Sequence, residues 1–83
     1  MKLTVRYFAS IREALGKGSE SLETSAVTLA ALRDELIARG GEYSQGLARG
    51  KAVRLAVNQV MSDESAPLSE GCEVAFFPPV TGG

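Results

Sequence analysis

The sequence predicts an α+β domain in which a mixed sheet of four to five strands carries one main helix on one face. Three observations lead there. Apolar residues alternate with period two near both ends of the chain, one stretch between them has helical spacing, and 83 residues leave room for one modest core. A single helix cannot cover both faces of a sheet, which favours α+β over a doubly covered α/β layering.

Leu3, Val5 and Tyr7 alternate with Thr4, Arg6 and Phe8, marking a half-buried first strand whose core phase leaves Phe8 on the other side. Ala9 to Leu15 is expected to form a turn of helix stopped at Gly16 and Gly18. Ser19 to Ala26 alternates weakly around Leu22 and reads as an edge strand paired with the first. Thr28 is a suitable N-cap for a helix with Leu29, Leu32 and Leu36 on one face, and Gly40-Gly41 is expected to end it. Residues 42–50 are ambiguous, with a short helical turn around Tyr43 and Leu47 as one reading. Val53, Leu55 and Val57 mark a clear strand, and Asn58-Gln59 returns the chain through Val60 and Met61. Pro67 and Gly71 bracket a turn anchored by Leu68. Glu73 to Phe77 is the last strand, with Val74 and Phe76 facing the core and Phe77 outward. Pro78-Pro79 ends it, because proline has no N–H for the ladder.

This element order favours a ubiquitin-like roll, the β-grasp, with a domain over residues 1–77 and an extended tail over residues 78–83. In such a roll the first and last strands are adjacent and central. Phe8 and Phe77 are then expected close together, with Met61 as a third member of an exposed apolar cluster at the base of the tail. Aromatics left in water beside a tail read as a docking patch.

Composition narrows the chemistry. Apolar residues are 45% and charged residues 23% of the chain, as in an ordinary globule. There is no His, no Trp and one Cys, Cys72, which excludes a His-assisted nucleophile, a His-ligated metal site and an internal disulfide. No metal or cofactor is expected on this chain. Residues 1–54 hold all nine bases against six acids, whereas residues 55–83 hold four acids and no base. No basic stripe points to nucleic acid, and the acidic half reads either as steering toward a basic partner or as solvated charge. Early charges at Lys2 and Arg6, and the lack of any run near the ~18 apolar residues of a membrane span, lead to a cytoplasmic expectation.

The final six residues are the most informative: Pro78, Pro79, Val80, Thr81, Gly82 and Gly83. Two glycines lack Cβ atoms and form the thinnest tail a chain can have. Extended at ~3.3 Å per residue, the segment reaches about 20 Å, enough to thread a partner's channel, and the prolines stiffen its base.

At this point a resemblance becomes visible. The stretch Glu73-Val74-Ala75-Phe76-Phe77-Pro78-Pro79-Val80-Thr81-Gly82-Gly83 strongly resembles the C-terminus of the molybdopterin synthase small subunits, a family of ubiquitin-like sulfur carriers. The likeness extends to Tyr7-Phe8-Ala9, Ile11 to Gly16, Thr28, Ala31-Leu32-Arg33, Leu55 to Gln59, Pro67-Leu68 and Gly71. It departs at Cys72, where the family usually has Asp or another polar residue.

The resemblance implies that a ubiquitin-activating-like enzyme uses ATP to adenylate Gly83. Sulfur from a sulfurtransferase donor then gives a C-terminal thiocarboxylate. The large subunit, in an expected heterotetramer of two small and two large subunits, supplies pocket and catalytic side chains for building the dithiolene on a pterin precursor. This chain supplies sulfur and is not an enzyme on its own. Three other readings remain open: a carrier for the thiamine thiazole, a ubiquitin-like modifier joined to lysines, and a passive binding module. Cys72 reads as an incidental turn residue rather than a sulfur relay, since Glu70 and Glu73 disfavour its thiolate.

Overall fold

The computed structural model describes residues 1–48, 50 and 52–79. Its elements are β1 (Lys2–Tyr7), α1 (Ala9–Leu15), β2 (Ser19–Glu23), α2 (Leu29–Ile37), α3 (Gly41–Leu47), β3 (Arg54–Val57), β4 (Val60–Ser62) and β5 (Glu73–Phe77). The strands form one sheet in the order β2-β1-β5-β3-β4. β1 and β5 run parallel and the other neighbours antiparallel, so the sheet is mixed.

The expected strand phases are observed. Leu3, Val5, Tyr7, Leu55, Val74 and Phe76 are buried and join Ile11, Leu15, Leu29, Leu32, Leu36 and Leu47 in a single core. Thr28 caps α2 as expected, its hydroxyl accepting from the Ala31 N–H at 3.2 Å. Asn58 and Gln59 both have positive φ, 50° and 69°, the geometry of a two-residue type I′ hairpin turn between the paired Val57 and Val60. Asn58 earns its place through its side chain, which accepts from the Glu73 N–H at 2.9 Å.

The structure departs from expectation at three points. The strand expected over Ser19–Ala26 ends at Glu23, because the Thr24 hydroxyl accepts from the Ala26 N–H at 2.9 Å and draws the backbone out of the ladder. α2 ends at Ile37, ahead of the expected Gly40-Gly41 stop, and Gly40 instead caps a further helix that Gly41 opens. α2 is the main helix, as expected, and the short helical segments expected over Ala9–Leu15 and around Tyr43 and Leu47 are α1 and α3, seven residues each. They meet over Gly46, where an added Cβ would stand 2.5 Å from Leu15 Cδ1. Finally, Cys72 follows its turn but is only 3% exposed and belongs to the core.

On the helical side, one polar cluster ties α3 to the sheet. The Glu20 carboxylate accepts from the Tyr43 hydroxyl at 2.7 Å, the Tyr7 hydroxyl at 2.8 Å and the Arg39 guanidinium at 3.2 Å. Lys17 and Arg39 also lie 5.4 and 5.0 Å from the Tyr43 ring centroid. Burial pushes the Glu20 pKa up, but the hydrogen bonds and the Lys17 charge outweigh it and hold the carboxyl below its ordinary value. A depressed carboxyl stabilises the fold above its unfolded pKa, and that contribution disappears as pH falls through the folded value. Glu20→Gln is therefore expected to cost about 1–3 kcal/mol at neutral pH, because its amide oxygen can still accept from Tyr7 and Tyr43 while its NH2 group then meets the Arg39 guanidinium donor to donor. Its penalty should shrink toward strongly acid pH. Urea melts across pH check this, and a pH-independent penalty would show that the charge of Glu20 is not what matters.

Candidate functional site

Because the helices share one side, the other face of the sheet is open. Arg6 on β1, Ala75 and Phe77 on β5, Ala56 on β3 and Met61 on β4 all point to it, a consequence of period two and the strand register. They line an open groove of about 480 Å³ together with Phe8.

Phe8 and Phe77 meet edge to face, with ring centroids 6.4 Å apart and planes at 87°. Phe8 is 39% exposed, Met61 57% exposed, and Phe77 half-buried. The three residues singled out from the sequence thus share one groove. Phe8 reaches it because its extended backbone (φ −127°, ψ 154°) continues the alternation of β1, in phase with Arg6, before the chain turns into α1. Its N–H donates to the Phe76 carbonyl at 3.1 Å, and Ala9 next to it has φ 51°, a left-handed conformation unusual for a residue with a Cβ.

Sequence reasoning missed the rest of the lining: Arg6, Ala56, Gln59, Glu73 and Ala75. Arg6 and Ala75 were in phase with Phe8 and Phe77, so the alternation that found the aromatics held that signal. Ala56 needed the β3–β5 register, which no local pattern shows. Arg6 ion-pairs with Glu73 at 3.8 Å and stands 5.3 Å over the Phe8 ring.

Pro78 follows β5 at once and lines a second, smaller cavity of about 80 Å³ with Ser10, Ala14 and Gly46. That is well under the ~300 Å³ usual for a small-molecule pocket, and the larger groove is open. The surface suits a protein partner better than a bound substrate. Pro79 is also described and half-buried. Val80, Thr81, Gly82 and Gly83 lie outside the described residues. Among the described residues no group of three His, Cys, Asp or Glu side chains is placed to hold a metal ion, and no helix is long and apolar enough to cross a membrane.

Two of the four acids in the C-terminal part are paired with bases of the N-terminal part, and a third accepts a backbone N–H. Glu64 pairs with Arg33 at 3.1 Å, Glu73 with Arg6, and Glu70 accepts the Lys2 N–H at 3.0 Å. Arg33 is itself buried and donates to the Leu47 and Ala48 carbonyls, both at 2.8 Å, closing the end of α3.

Comparison with known proteins agrees with this architecture. A molybdopterin synthase sulfur carrier subunit from Escherichia coli is 40% identical over 81 residues, covering 98% of this chain and 99% of the relative. The Helicobacter pylori complex of subunits 1 and 2 of molybdopterin-converting factor contains a chain that is 27% identical, with a TM-score of 0.68 and full coverage of both chains. SAMP1 of Haloferax volcanii has the same fold, with a TM-score of 0.77 at 20% identity and full coverage of both chains. The expected ubiquitin-like β-grasp is thereby the fold of this protein. Residues 5–83 match the ThiS family, and with that match and the near-full-length relative together, the chain belongs to the ThiS family.

Proposed function

We propose that this chain is the sulfur carrier subunit of a molybdopterin synthase, with Gly83 as the residue that carries the sulfur. The observation that carries the reading is the apolar groove of Phe8, Phe77 and Met61 at the end of β5, from which residues 78–83 continue. The family match runs through Gly83, and the E. coli relative has this role over almost the whole chain.

The chemistry follows from what a carboxylate lacks. As a free anion it is a poor electrophile, so a separate adenylating enzyme joins the Gly83 carboxylate to the AMP portion of ATP and releases pyrophosphate. A sulfide-level sulfur, supplied through a sulfurtransferase, displaces AMP and leaves a thiocarboxylate. That sulfur is more nucleophilic than the oxygen it replaced; it attacks a pterin precursor held by the large subunit, and water then cleaves the Gly83 acyl–sulfur bond, leaving the sulfur on the pterin and returning the Gly83 carboxylate. Two such transfers supply the two sulfurs of the dithiolene.

Pro78, Pro79, Val80, Thr81 and Gly82 form the thread that delivers Gly83, while Phe8, Met61 and Phe77 form the docking surface. The functional assembly pairs two small with two large subunits, and it works in the cytoplasm, where the lone buried Cys72 stays reduced. Neither ATP nor metal is held by this chain.

Intact-mass analysis tests the reading. After incubation with the adenylating enzyme, ATP and a sulfur source, the chain is expected to gain the mass difference between sulfur and oxygen, confined to its C-terminal peptide. Incubation with the large subunit and pterin precursor should remove it. If the gain never appears, the carrier reading is wrong. An isopeptide link from Gly83 to lysines of other proteins would establish a modifier instead.

A further inference from the structure

Ala56 and Ala75 stand directly opposite each other on β3 and β5, in the interior of the sheet. Alanine is depleted in strands because it offers little side chain to pack on a pleated surface. A facing pair of them gives up the cross-strand packing that larger residues supply. Such a breach of a local rule, without an evident structural gain, is where function is expected.

Around this pair the groove has large walls. Phe77 and Phe8 stand at one end, and Met61 lies across from Ala56 on β4. Arg6 and Glu73 form a further wall and neutralise each other at 3.8 Å, so the groove bears no net charge there. Ala56 is only 5% exposed and forms the bottom, while Ala75 is half-buried.

From this shape we infer that the Ala56–Ala75 floor is a socket for one bulky uncharged side chain, a Leu, Met or Phe, presented by the large subunit. The inference rests on the carrier reading above. The tail starts at Pro78, next to Phe77 of the socket wall, and spans about 20 Å when extended. A protein that holds Gly83 in its active site therefore sits within about 20 Å of the groove, near enough to cover it. Interfaces of this kind concentrate their affinity where a large side chain fills a pocket sealed from water.

Filling the socket from inside tests it. The Ala75→Leu chain is expected to bind the large subunit at least tenfold more weakly in titration calorimetry, with an unchanged thermal midpoint. A second route avoids a bulky residue during folding. Ala75→Cys is folded first and then treated with methyl, butyl or benzyl methanethiosulfonate, Cys72 being shielded at 3% exposure. Affinity should fall stepwise with the size of the adduct.

If the benzyl adduct and Ala75→Leu bind like wild type while Phe77→Ala binds weakly, the face docks the partner but the socket is empty, and the inference is overturned with the carrier reading intact. Self-association of the free chain that the adducts abolish, with large-subunit binding untouched, would overturn it in favour of a second copy as occupant. Failure of the unmodified chain both to bind the large subunit and to acquire sulfur would defeat the inference and the carrier reading together.

Discussion

Deleting Gly83 is expected to abolish sulfur loading and transfer completely while leaving the thermal midpoint where it was. Changing Gly82 to Val should come close to the same result. The reacting carboxylate belongs to Gly83 in the proposed chemistry, and its removal shifts the reactive end by about 3.3 Å, far beyond the tolerance of an attack geometry. Val at position 82 adds a branched Cβ to a segment that must pass a narrow channel. Stability should be indifferent to both changes, because the core runs from Leu3 to Phe76. Loading by mass spectrometry and melting by circular dichroism check the two halves of the expectation. Normal loading and consumption of the Gly82→Val chain would show that a thin thread is not required.

Phe76→Ala and Phe77→Ala are expected to fail in opposite ways. Phe76 is fully buried and stacks on Tyr7 at a centroid distance of 6.1 Å, so its truncation should open a cavity costing about 3–5 kcal/mol. A domain of this size has roughly 4–12 kcal/mol in total, so the Phe76→Ala chain should lose at least about a quarter of its stability. Phe77 lies on the groove and touches Phe8. Phe77→Ala should cost the fold less than Phe76→Ala does, yet weaken large-subunit binding by about 2 kcal/mol or more, roughly 30-fold in Kd. Thermal melts and titration calorimetry on both variants decide the matter. Normal binding by a Phe77→Ala chain that unfolds as readily as Phe76→Ala would mean that the open face is not the docking surface.

These two neighbours also show what a local pattern can carry. In a strand, side chains alternate by geometry, so choosing the core phase for Val74 and Phe76 commits Phe77 to the other face before any partner strand is known. The same holds for Tyr7 and Phe8. Adjacency of the two aromatics followed once the roll was preferred, since β1 and β5 are neighbours in it. The Thr28 cap and the Asn58-Gln59 turn were legible for the same reason: each is completed within a few residues.

The sequence by itself determined the strand phases, the capped helix, the absence of His-based chemistry and a glycine tail following the last strand. Only the tertiary structure decided how distant segments use one another. Gly46 lets α1 and α3 touch, Glu20 gathers Tyr7, Arg39 and Tyr43 from three other parts of the chain, and Cys72 turns inward from a polar turn. Two of the four acids of the C-terminal part, Glu64 and Glu73, meet bases from the N-terminal part, Arg33 and Arg6, a pairing that charge counting along the sequence does not show. The Ala56–Ala75 floor likewise exists only through the register of β3 on β5. The physical reason is common to all of them. Periodicity and caps are set by neighbours along the chain, whereas register, helix contact and charge pairing are set by residues far apart in sequence that burial of a shared core brings together.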